Sequence, residues 1–439
     1  MQSEPHPGEL KMQHIPHFKS YDPKSKRLTL SGAQTFPLQI VEYANDIEIL
    51  DMSHGELTTL SPHVAQLSEL KIVLFSHNPL SELHGALALC PNLILLGLKS
   101  CHLATIEENT LPTSLHWLIL TDNKLNILPA SIGALKQLRK LSLAGNQLTH
   151  LPIEMQACQN LELIRLGANK FTTIPDWLLT LPHLAWYGGV HQRKQEERDP
   201  KILEIPYADI AFVEMIGSSP SSEVWKARWS TTGEDVAVKI YKSHLTSDGW
   251  PEDDMRMCIA AGVQPNLIPV LGKLSGHPEN KHGLVLQLIP PSFHTLGLPP
   301  SLETCTRDTF APGASWSLPF IIRVLRANAS ACEHLHRKGI IHGDLYAHNI
   351  LVNQEGDCYL GDFGAASLYD RSTDGRFEQI EVRAFGYLIE DLLDHCPDQF
   401  SSLEQLKNSC LDLNISARPL FSDILSQLKK ISRSNEGAT

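Results

Sequence analysis

A leucine-based motif recurs through the first half of the 439-residue chain at a nearly constant interval. The pattern L-x-x-L-x-L-x-x-N-x-L occurs six times, with its asparagine positions separated by 22 or 23 residues. These positions are Gly55, Asn78, Cys101, Asn123, Asn146 and Asn169. One copy cannot bury its apolar face alone, so a regular interval predicts that successive copies stack side by side.

Within each copy the alternating leucines predict a short strand with inward-facing side chains. We expect the asparagine that follows to turn inward and bind backbone groups of the turn, with Gly55 and Cys101 interrupting that row. The motif resembles the leucine-rich-repeat signature, which implies an α/β solenoid. We assign residues 47–190 to six repeats and residues 1–46 to an N-terminal segment with a degenerate cap repeat.

The outward positions of the strands carry an unusual number of apolar side chains. Solvent-facing strand positions are normally polar, so an apolar cluster on the concave face predicts a protein-binding patch. An alternative is that the cluster packs on the second domain or on the N-terminal segment. The cluster consists of Ile72, Leu74, Leu95, Trp117 and Ile119.

Composition excludes several classes of function. The net charge of −12 leaves no general basic field for nucleic acid or an anionic membrane surface. No apolar run approaches the roughly 18–20 residues that span a bilayer. The nine cysteines are odd in number and lack framework spacing, which favours reduced thiols and a cytoplasmic location.

The repeat period ends at a charged segment, residues 191–205, which we interpret as a linker. After it, short β-type runs at 211–216, 223–227 and 236–240 precede helical periodicity from about Pro319. Strands followed by helices predict an α+β domain of two lobes. We assign residues 206–433 to this domain and residues 434–439 to a tail.

The second domain resembles the eukaryotic-type protein kinase family through ordered motifs between residues 210 and 430. Residues 236–239 (VAVK) match the V-A-I-K strand, residues 342–349 (HGDLYAHN) match the catalytic loop, and residues 362–364 match D-F-G. Residues 381–386 and 417–419 resemble two later motifs of the family. The combination with the repeats is similar to bacterial-style leucine-rich-repeat protein kinases.

The resemblance implies ATP and Mg²⁺ as ligands and gives each matched residue a role. Lys239 would bind the α- and β-phosphates and Asp344 would accept the proton of the substrate hydroxyl. Asn349 and Asp362 would ligate Mg²⁺, while His342 and Phe363 would support the loop from the core. The remaining nucleotide-binding positions are Ile216, Gly217, Ser219, Ser222, Val224 and Ala237.

Several departures from the family pattern bear on activity. The glycine-rich loop retains one glycine, Gly217, and Pro220 removes a backbone amide, which puts tight ATP binding in doubt. The helix glutamate that pairs with the strand lysine is replaced; Asp254 fits its position best, with Glu252 as the fallback. Asp is one methylene shorter than Glu, so the helix must lie closer.

The catalytic loop also departs from the family. Gly343 replaces the arginine that reads a phosphorylated activation loop, and no A-P-E motif follows, so we expect no switch by activation-loop phosphorylation. The candidate phosphorylation sites that would contradict this are Ser367, Tyr369, Ser372 and Thr373. Tyr346 stands where serine/threonine kinases have lysine. His348 or Arg307 could supply the missing positive charge, although a solvated loop arginine is the simpler interpretation of Arg307.

These features favour ATP-dependent phosphotransfer to serine or threonine hydroxyls of proteins, with the repeats recruiting a substrate or partner. Two alternatives stay open. A small-molecule phosphotransferase of the aminoglycoside-kinase type shares the H-G-D-x-x-x-x-N loop. A pseudokinase scaffold would use the repeats for binding and keep the degraded nucleotide loop as a relic.

Overall fold

The computed structural model describes residues 11–83, 85–189, 202–219, 221–372, 374–398 and 400–436. The chain divides into two compact units, Met1–Ile164 with Ala168–Leu181, and Arg165–Gly167 with Pro182–Thr439. Most of the predicted charged linker, together with Pro220 and Thr373, lies outside the described residues. The division assigns residues 182–189, which the sequence analysis included in the segment 47–190, to the second unit.

The first unit is built on short parallel strands. An antiparallel pair, β1 and β2, starts the sheet, and β2-β3-β4-β6-β8-β9 then pair in parallel. The strands are β1 (Phe18–Asp22), β2 (Arg27–Leu30), β3 (Ile49–Asp51), β4 (Ile72–Leu74), β5 (Glu82–Leu83), β6 (Leu95–Gly97), β7 (Thr105–Ile106), β8 (Trp117–Ile119), β9 (Lys140–Ser142) and β10 (Leu163–Arg165). The last residue of β10, Arg165, belongs to the second unit. A separate pair joins β5 and β7.

The register of the sheet follows the sequence interval. Ile49 pairs with Ile72, and Ile72 with Leu95, so each copy of the motif places its strand beside the next. Short 3₁₀ helices, including Ala130–Ala134 and Ile153–Ala157, begin directly after the pairs Leu128-Pro129 and Leu151-Pro152 and lie between successive strands. The middle residue of each three-residue strand, such as Leu118, is fully buried, as the alternation predicts.

The motif asparagines bind backbone groups of their own turn, as predicted, and also of neighbouring copies. Asn123 Nδ2 donates to Leu98 O at 2.8 Å, and Asn123 Oδ1 accepts from Leu103 N at 2.9 Å. Cys101 keeps part of this function, because its Sγ donates to Phe75 O at 3.2 Å. The row therefore continues through Cys101 in its donor half, which corrects the expectation of a simple break there.

At Gly55 the motif position has no room for a side chain. A Cβ at this residue would lie 2.7 Å from both Ala33 O and Asn78 Oδ1. Asn78, from the next copy, uses its Oδ1 to accept a hydrogen bond from Leu57 N at 2.9 Å. Glycine is therefore required where the asparagine of the next copy approaches the backbone.

The apolar cluster on the strands is less exposed than solvent-facing positions should be. Ile72 and Leu95 are buried, and Leu74, Trp117 and Ile119 are half-buried. Part of this burial is internal to the unit, since a Cβ on Gly97 would meet Leu74 Cδ2 at 2.9 Å. Only part of the predicted patch therefore lies at the surface.

The second unit begins with a mostly antiparallel six-stranded sheet of order β12-β16-β17-β15-β14-β13. The six strands are β12 (Glu204–Pro206), β13 (Ile210–Ser218), β14 (Ser222–Trp229), β15 (Glu234–Tyr241), β16 (Val270–Ser275) and β17 (Gly283–Gln287). An earlier strand of the same unit, β11 (Trp186–Gly188), lies outside this sheet. Five further strands are two to three residues long: β18 (His294–Thr295), β19 (Ile340–Ile341), β20 (Ile350–Val352), β21 (Cys358–Leu360) and β22 (Ser367–Leu368). The three β-type runs of the sequence fall in β13, β14 and β15.

Five α-helices complete the described part of this unit: α1 (Pro251–Ala261), α2 (Leu318–Arg337), α3 (Arg376–Asp394), α4 (Ser401–Cys410) and α5 (Phe421–Glu436). Pro251 opens α1 at a position where the missing amide has no helical partner, and Gly262 at φ 65° ends it. Four helices follow the sheet in sequence, as the change of periodicity predicts. Among the described residues, no helix combines the length and apolarity needed to cross a membrane.

Candidate active site

A cleft of about 640 Å³ opens beneath the β13–β14 hairpin. Strands β13, β14 and β15 pair in register, so that Gly217 lies opposite Val224 and Val224 opposite Lys239. This pairing brings all seven predicted nucleotide-binding positions to the wall of the cleft. The lining includes Ile216, Gly217, Ser219, Ser222, Val224, Ala237 and Lys239, together with Asp362.

Lys239 lies between two carboxylates at the inner end of the cleft. Its Nζ is 2.7 Å from Asp254 Oδ2 and 3.6 Å from Asp362 Oδ1. Burial by itself would lower the pKa of Lys239, but attraction to Asp254 and Asp362 raises this pKa well above its usual value. The same attraction to Lys239 lowers the pKa of Asp362. Lys239 and Asp362 are therefore both charged at neutral pH.

The helix partner of Lys239 is Asp254, as the sequence favoured. Asp254 is the fourth residue of α1, and the helix lies close enough for the shorter side chain to reach. The fallback residue, Glu252, pairs with His282 Nε2 at 2.8 Å instead. Asp254 and Glu252, the two candidate partners of Lys239, thus have separate contacts.

Two further groups bind Asp254 that the sequence reasoning missed. Tyr241 OH donates to Asp254 Oδ2 at 2.7 Å, and Cys258 Sγ donates to Asp254 Oδ1 at 3.3 Å. Burial and the charge of Asp254 raise the pKa of both Tyr241 and Cys258. Sequence spacing could have indicated both contacts. Tyr241 lies two residues after Lys239, on the same face of the strand, and Cys258 lies four residues after Asp254, on the same face of the helix.

The catalytic-loop motif holds Asp344 through its own asparagine. Asn349 Nδ2 donates to Asp344 O at 2.9 Å and to Asp344 Oδ2 at 3.0 Å. Asp344 retains 17% exposure of its side chain. The motif spacing of five residues thus closes a turn that fixes one oxygen of the carboxylate.

Buried polar groups support the loop from below. Glu381 Oε1 accepts from Gly343 N at 2.7 Å, and Glu381 Oε2 lies 2.7 Å from His336 Nε2. Burial by itself would raise the pKa of Glu381. The hydrogen bond to His336 and the electrostatic attraction of His336 lower this pKa. His342 is fully buried, with its Nε2 3.0 Å from Gly361 O and its ring centroid 4.9 Å from that of Phe363. His342 and Phe363 therefore have the supporting place predicted for them.

Gly343 occupies a conformation and a space that exclude other residues. Its φ is 73°, in the left-handed region. A Cβ would lie 2.4 Å from Tyr187 O and 2.8 Å from Ala365 O. The glycine that replaces the family arginine is thus required by the close approach of the β11 backbone.

The two cations proposed from the sequence are engaged elsewhere. Arg307 is not a solvated loop arginine: it binds Asp391 and lies 2.6 Å from Glu390 Oε2, with its guanidinium over the ring of Tyr387. His348 Nδ1 lies 2.6 Å from Asp308 Oδ1. The cation that contacts Asp344 is Arg165, the last residue of β10.

Two of the candidate phosphorylation sites are buried. Ser367 Oγ accepts from Gly189 N at 2.9 Å, and Tyr369 OH donates to Glu378 Oε1 at 3.0 Å. Ser372 is exposed and donates to Asp370 Oδ1 at 2.6 Å. Independence from activation-loop phosphorylation stays a prediction.

The serine-rich loop closes on itself. Ser219 Oγ accepts hydrogen bonds from Ser221 N at 3.3 Å and from Ser222 N at 3.1 Å. Ser219 N in turn donates to Ser222 O at 2.8 Å. Two amides of the loop thus bind a side chain of the loop.

The residues present fit a magnesium-bound nucleotide. Asp362 has a side chain 56% exposed at the cleft. Asn349 uses its Nδ2 on Asp344, so its amide oxygen is the group that could ligate a cation. Two hard oxygen ligands, completed by phosphate and water, suit Mg²⁺. No cluster of three or more His, Cys, Asp or Glu side chains able to hold a metal occurs in the part of the chain described by the structure.

Comparison with known proteins agrees with this geometry. The family of protein tyrosine and serine/threonine kinases matches residues 210–385. Activin receptor type-1 of Homo sapiens is 27% identical over 173 residues, which cover 37% of this chain and 31% of the receptor. L-type lectin-domain containing receptor kinase V.5 of Arabidopsis thaliana is 29% identical over 185 residues, covering 41% of this chain and 26% of that kinase.

The similarity is confined to one part of each protein. The chain spans about a third or less of the curated relatives that it matches. Lys239, Asp254, Asp344, Asn349 and Asp362 all lie within the matched segment. Residues 210–385 of this chain are therefore a protein kinase domain.

Proposed function

We propose that the protein is an ATP-dependent protein kinase that phosphorylates serine or threonine hydroxyls of other proteins. The observation that carries the proposal is the convergence of Lys239, Asp254 and Asp362 at one end of a nucleotide-sized cleft. A scaffold has no physical need for this arrangement of charges.

Each residue has a defined task in this reaction. Lys239, kept protonated by its carboxylate neighbours, binds the phosphates that enter the cleft. Asp344, oriented by Asn349, accepts the proton of the attacking hydroxyl. Asn349 and Asp362 would hold Mg²⁺, which neutralises charge on the transferred phosphoryl group. Catalysis by positioning and charge neutralisation is what this set of groups can supply.

Turnover of labelled ATP with peptide libraries and with the protein itself tests the proposal. Asp344→Asn keeps the size of the side chain and removes its basicity, so kcat should fall by about 10²–10⁴-fold while ATP affinity stays near the wild-type value. Glu252→Gln on α1 is the matched control. Wild-type protein without turnover would favour the pseudokinase scaffold, whereas turnover only with small hydroxyl compounds would favour a small-molecule kinase.

We also propose that residues 47–190 are leucine-rich repeats that recruit a protein partner or substrate. The 22- to 23-residue register of the parallel strands and the asparagine row support the repeat assignment. Trp117 supports the recruiting role. Its half-buried ring lies under Lys140 Nζ at 4.1 Å. Aromatic groups of this kind are frequent in protein interfaces.

Trp117→Ala tests the recruiting role. We expect substrate phosphorylation in cell extract to fall while turnover of a short peptide is unchanged, because the change removes a contact surface and leaves the cleft intact. Ile127→Ala, an exposed apolar residue of the same unit, is the control. Equal phosphorylation profiles for wild type and Trp117→Ala would contradict the role.

A cytoplasmic location stays a prediction from the cysteine content.

A further inference from the structure

Arg165 is a buried arginine that contacts the catalytic loop. It belongs to the compact unit that contains the kinase domain, through the segment Arg165–Gly167. Its Nη2 donates to Asp344 Oδ1, its Nε donates to Asp248 Oδ1 at 2.6 Å, and its Nη1 donates to Gly343 O at 3.3 Å. Arg165 is 5% exposed. One guanidinium thus joins the catalytic loop to the segment that precedes α1.

The surroundings of this arginine are shaped to hold it. A Cβ on Gly188 would lie 2.7 Å from Arg165 Cδ, so glycine on β11 leaves the space that the side chain fills. A Cβ on Gly167 would lie 2.0 Å from Asp248 O, so glycine also permits the approach of the Asp248 segment. Burial would lower the pKa of Arg165, but Asp344 and Asp248 raise it, so the guanidinium stays charged.

Strand β11 also contacts the catalytic loop. Trp186 Nε1 donates to Leu345 O at 3.1 Å, and the Trp186 ring stacks on Tyr346 with centroids 4.4 Å apart. Tyr346 is the position where a lysine was expected from the kinase resemblance. Its ring is used for stacking, and the positive charge beside Asp344 comes from Arg165.

We propose that Arg165 is a positioning residue of the phosphotransfer site, which holds the Asp344 carboxylate in place and ties it to Asp248 ahead of α1. The inference rests on the proposed function and goes beyond it, since it assigns a positioning role to a residue 45 positions before the matched domain. Asp344 then has both oxygens fixed, Oδ1 by Arg165 and Oδ2 by Asn349.

Positioning fits the geometry better than inhibition. An inhibitory contact would be expected with a disassembled site, yet Lys239 and Asp254 are paired at 2.7 Å. The Asp344 side chain also keeps 17% exposure, which leaves room for a hydroxyl group to reach it. The orientation of a catalytic group strongly affects the reaction rate, because a displacement of about 1 Å can lower the rate by about 10²-fold.

The test compares kcat, KM for ATP and ATP dissociation constants of the full chain and its variants. Arg165→Ala should lower kcat by about 10²-fold and leave ATP affinity within about 3-fold, because the cleft is unchanged. Arg165→Lys retains one charge and should recover about a tenth of the wild-type kcat. Arg139→Ala is the matched control, since Arg139 pairs with Glu162 at 2.9 Å in the other unit; wild-type kcat is expected.

The outcomes separate the possible roles of Arg165. A higher kcat for Arg165→Ala would show an inhibitory contact and overturn the proposal, as would an unchanged kcat. Should Arg165→Ala fail to fold, Arg165→Lys and Asp248→Asn decide the matter. Wild-type kcat in both of them overturns the proposal, and a kcat reduced at least 3-fold at constant ATP affinity supports it.

Amide hydrogen exchange keeps this inference distinct from the proposed kinase activity. Loss of the tie should accelerate exchange in residues 342–349 and 244–250 of Arg165→Ala or Arg165→Lys, relative to wild type and Arg139→Ala. If the wild type turns over no substrate, the proposed function fails, and faster exchange still supports the tie. Unchanged exchange in both segments would overturn the tie itself.

Discussion

At the scale of single residues, the site depends on a short side chain reaching a lysine. Asp254 is 4% exposed and is bound by Lys239 and Tyr241, both at 2.7 Å. A buried lysine without a counter-ion loses the attraction that keeps it protonated. The choice of Asp254 over Glu252 followed from its place in the sequence, whereas the contribution of Tyr241 required the structure.

We therefore predict that Asp254→Asn lowers kcat/KM for ATP by about 10-fold or more, because the amide cannot balance the charge of Lys239. Glu252→Gln, two positions earlier on the same helix, pairs with His282 and should leave kcat/KM unchanged. Steady-state kinetics at varied ATP concentration measure both. A larger loss for Glu252→Gln would mean that the helix partner of Lys239 has been misassigned.

At the scale of elements, the sequence predicted the two strands of the β13–β14 hairpin but not the conformation of the turn between them. The strands follow from alternation, and their register brings Ser219 and Ser222 to the cleft. Serines in place of glycines left open whether the loop amides face a ligand. In the structure the amides of Ser221 and Ser222 do not face a ligand, because both donate hydrogen bonds to Ser219 Oγ within the loop.

Ser219→Ala should accordingly free two amides to bind phosphate. A gain of about 1 kcal/mol for one neutral hydrogen bond corresponds to a roughly 5-fold tighter ATP dissociation constant. Titration calorimetry with a non-hydrolysable ATP analogue measures it. Thr231→Ala, in the next turn, removes a hydroxyl bound to Asp209 and should change nothing. Weaker binding by Ser219→Ala would mean that the hydroxyl itself contacts the nucleotide.

At the scale of the whole molecule, the unit that contains the kinase domain is larger than the matched segment. It includes β11, whose Trp186 is 1% exposed and contacts Leu345 and Tyr346. The domain boundary predicted at residue 206 came from a change in period and a charged segment. Neither signal reveals that residues 182–189 pack with residues that follow the linker.

Truncation of Trp186 should then destabilise the kinase unit. Trp186→Ala removes a fully buried ring and should lower the free energy of unfolding by about 3–5 kcal/mol, as large-to-small core changes do. Denaturant unfolding followed by amide exchange in residues 342–349 would locate the loss. Trp250→Ala, at a residue 47% exposed, is the control and should cost far less. Equal losses for the two variants would contradict the supporting role of β11.

Short-range pattern was enough to predict the repeated strands, the asparagine row and the hairpin strands, whereas the resemblance to protein kinases implied the residues Lys239, Asp254, Asp344, Asn349 and Asp362. Period and alternation are local properties, and each of them is carried by residues near one another in the chain. Contacts across long separations were decided only by the tertiary structure. Arg165 reaches Asp344 across 179 positions, and Gly343 is glycine because the backbone of Tyr187 lies against it. No local pattern encodes such pairs, because they arise only when separate elements pack together.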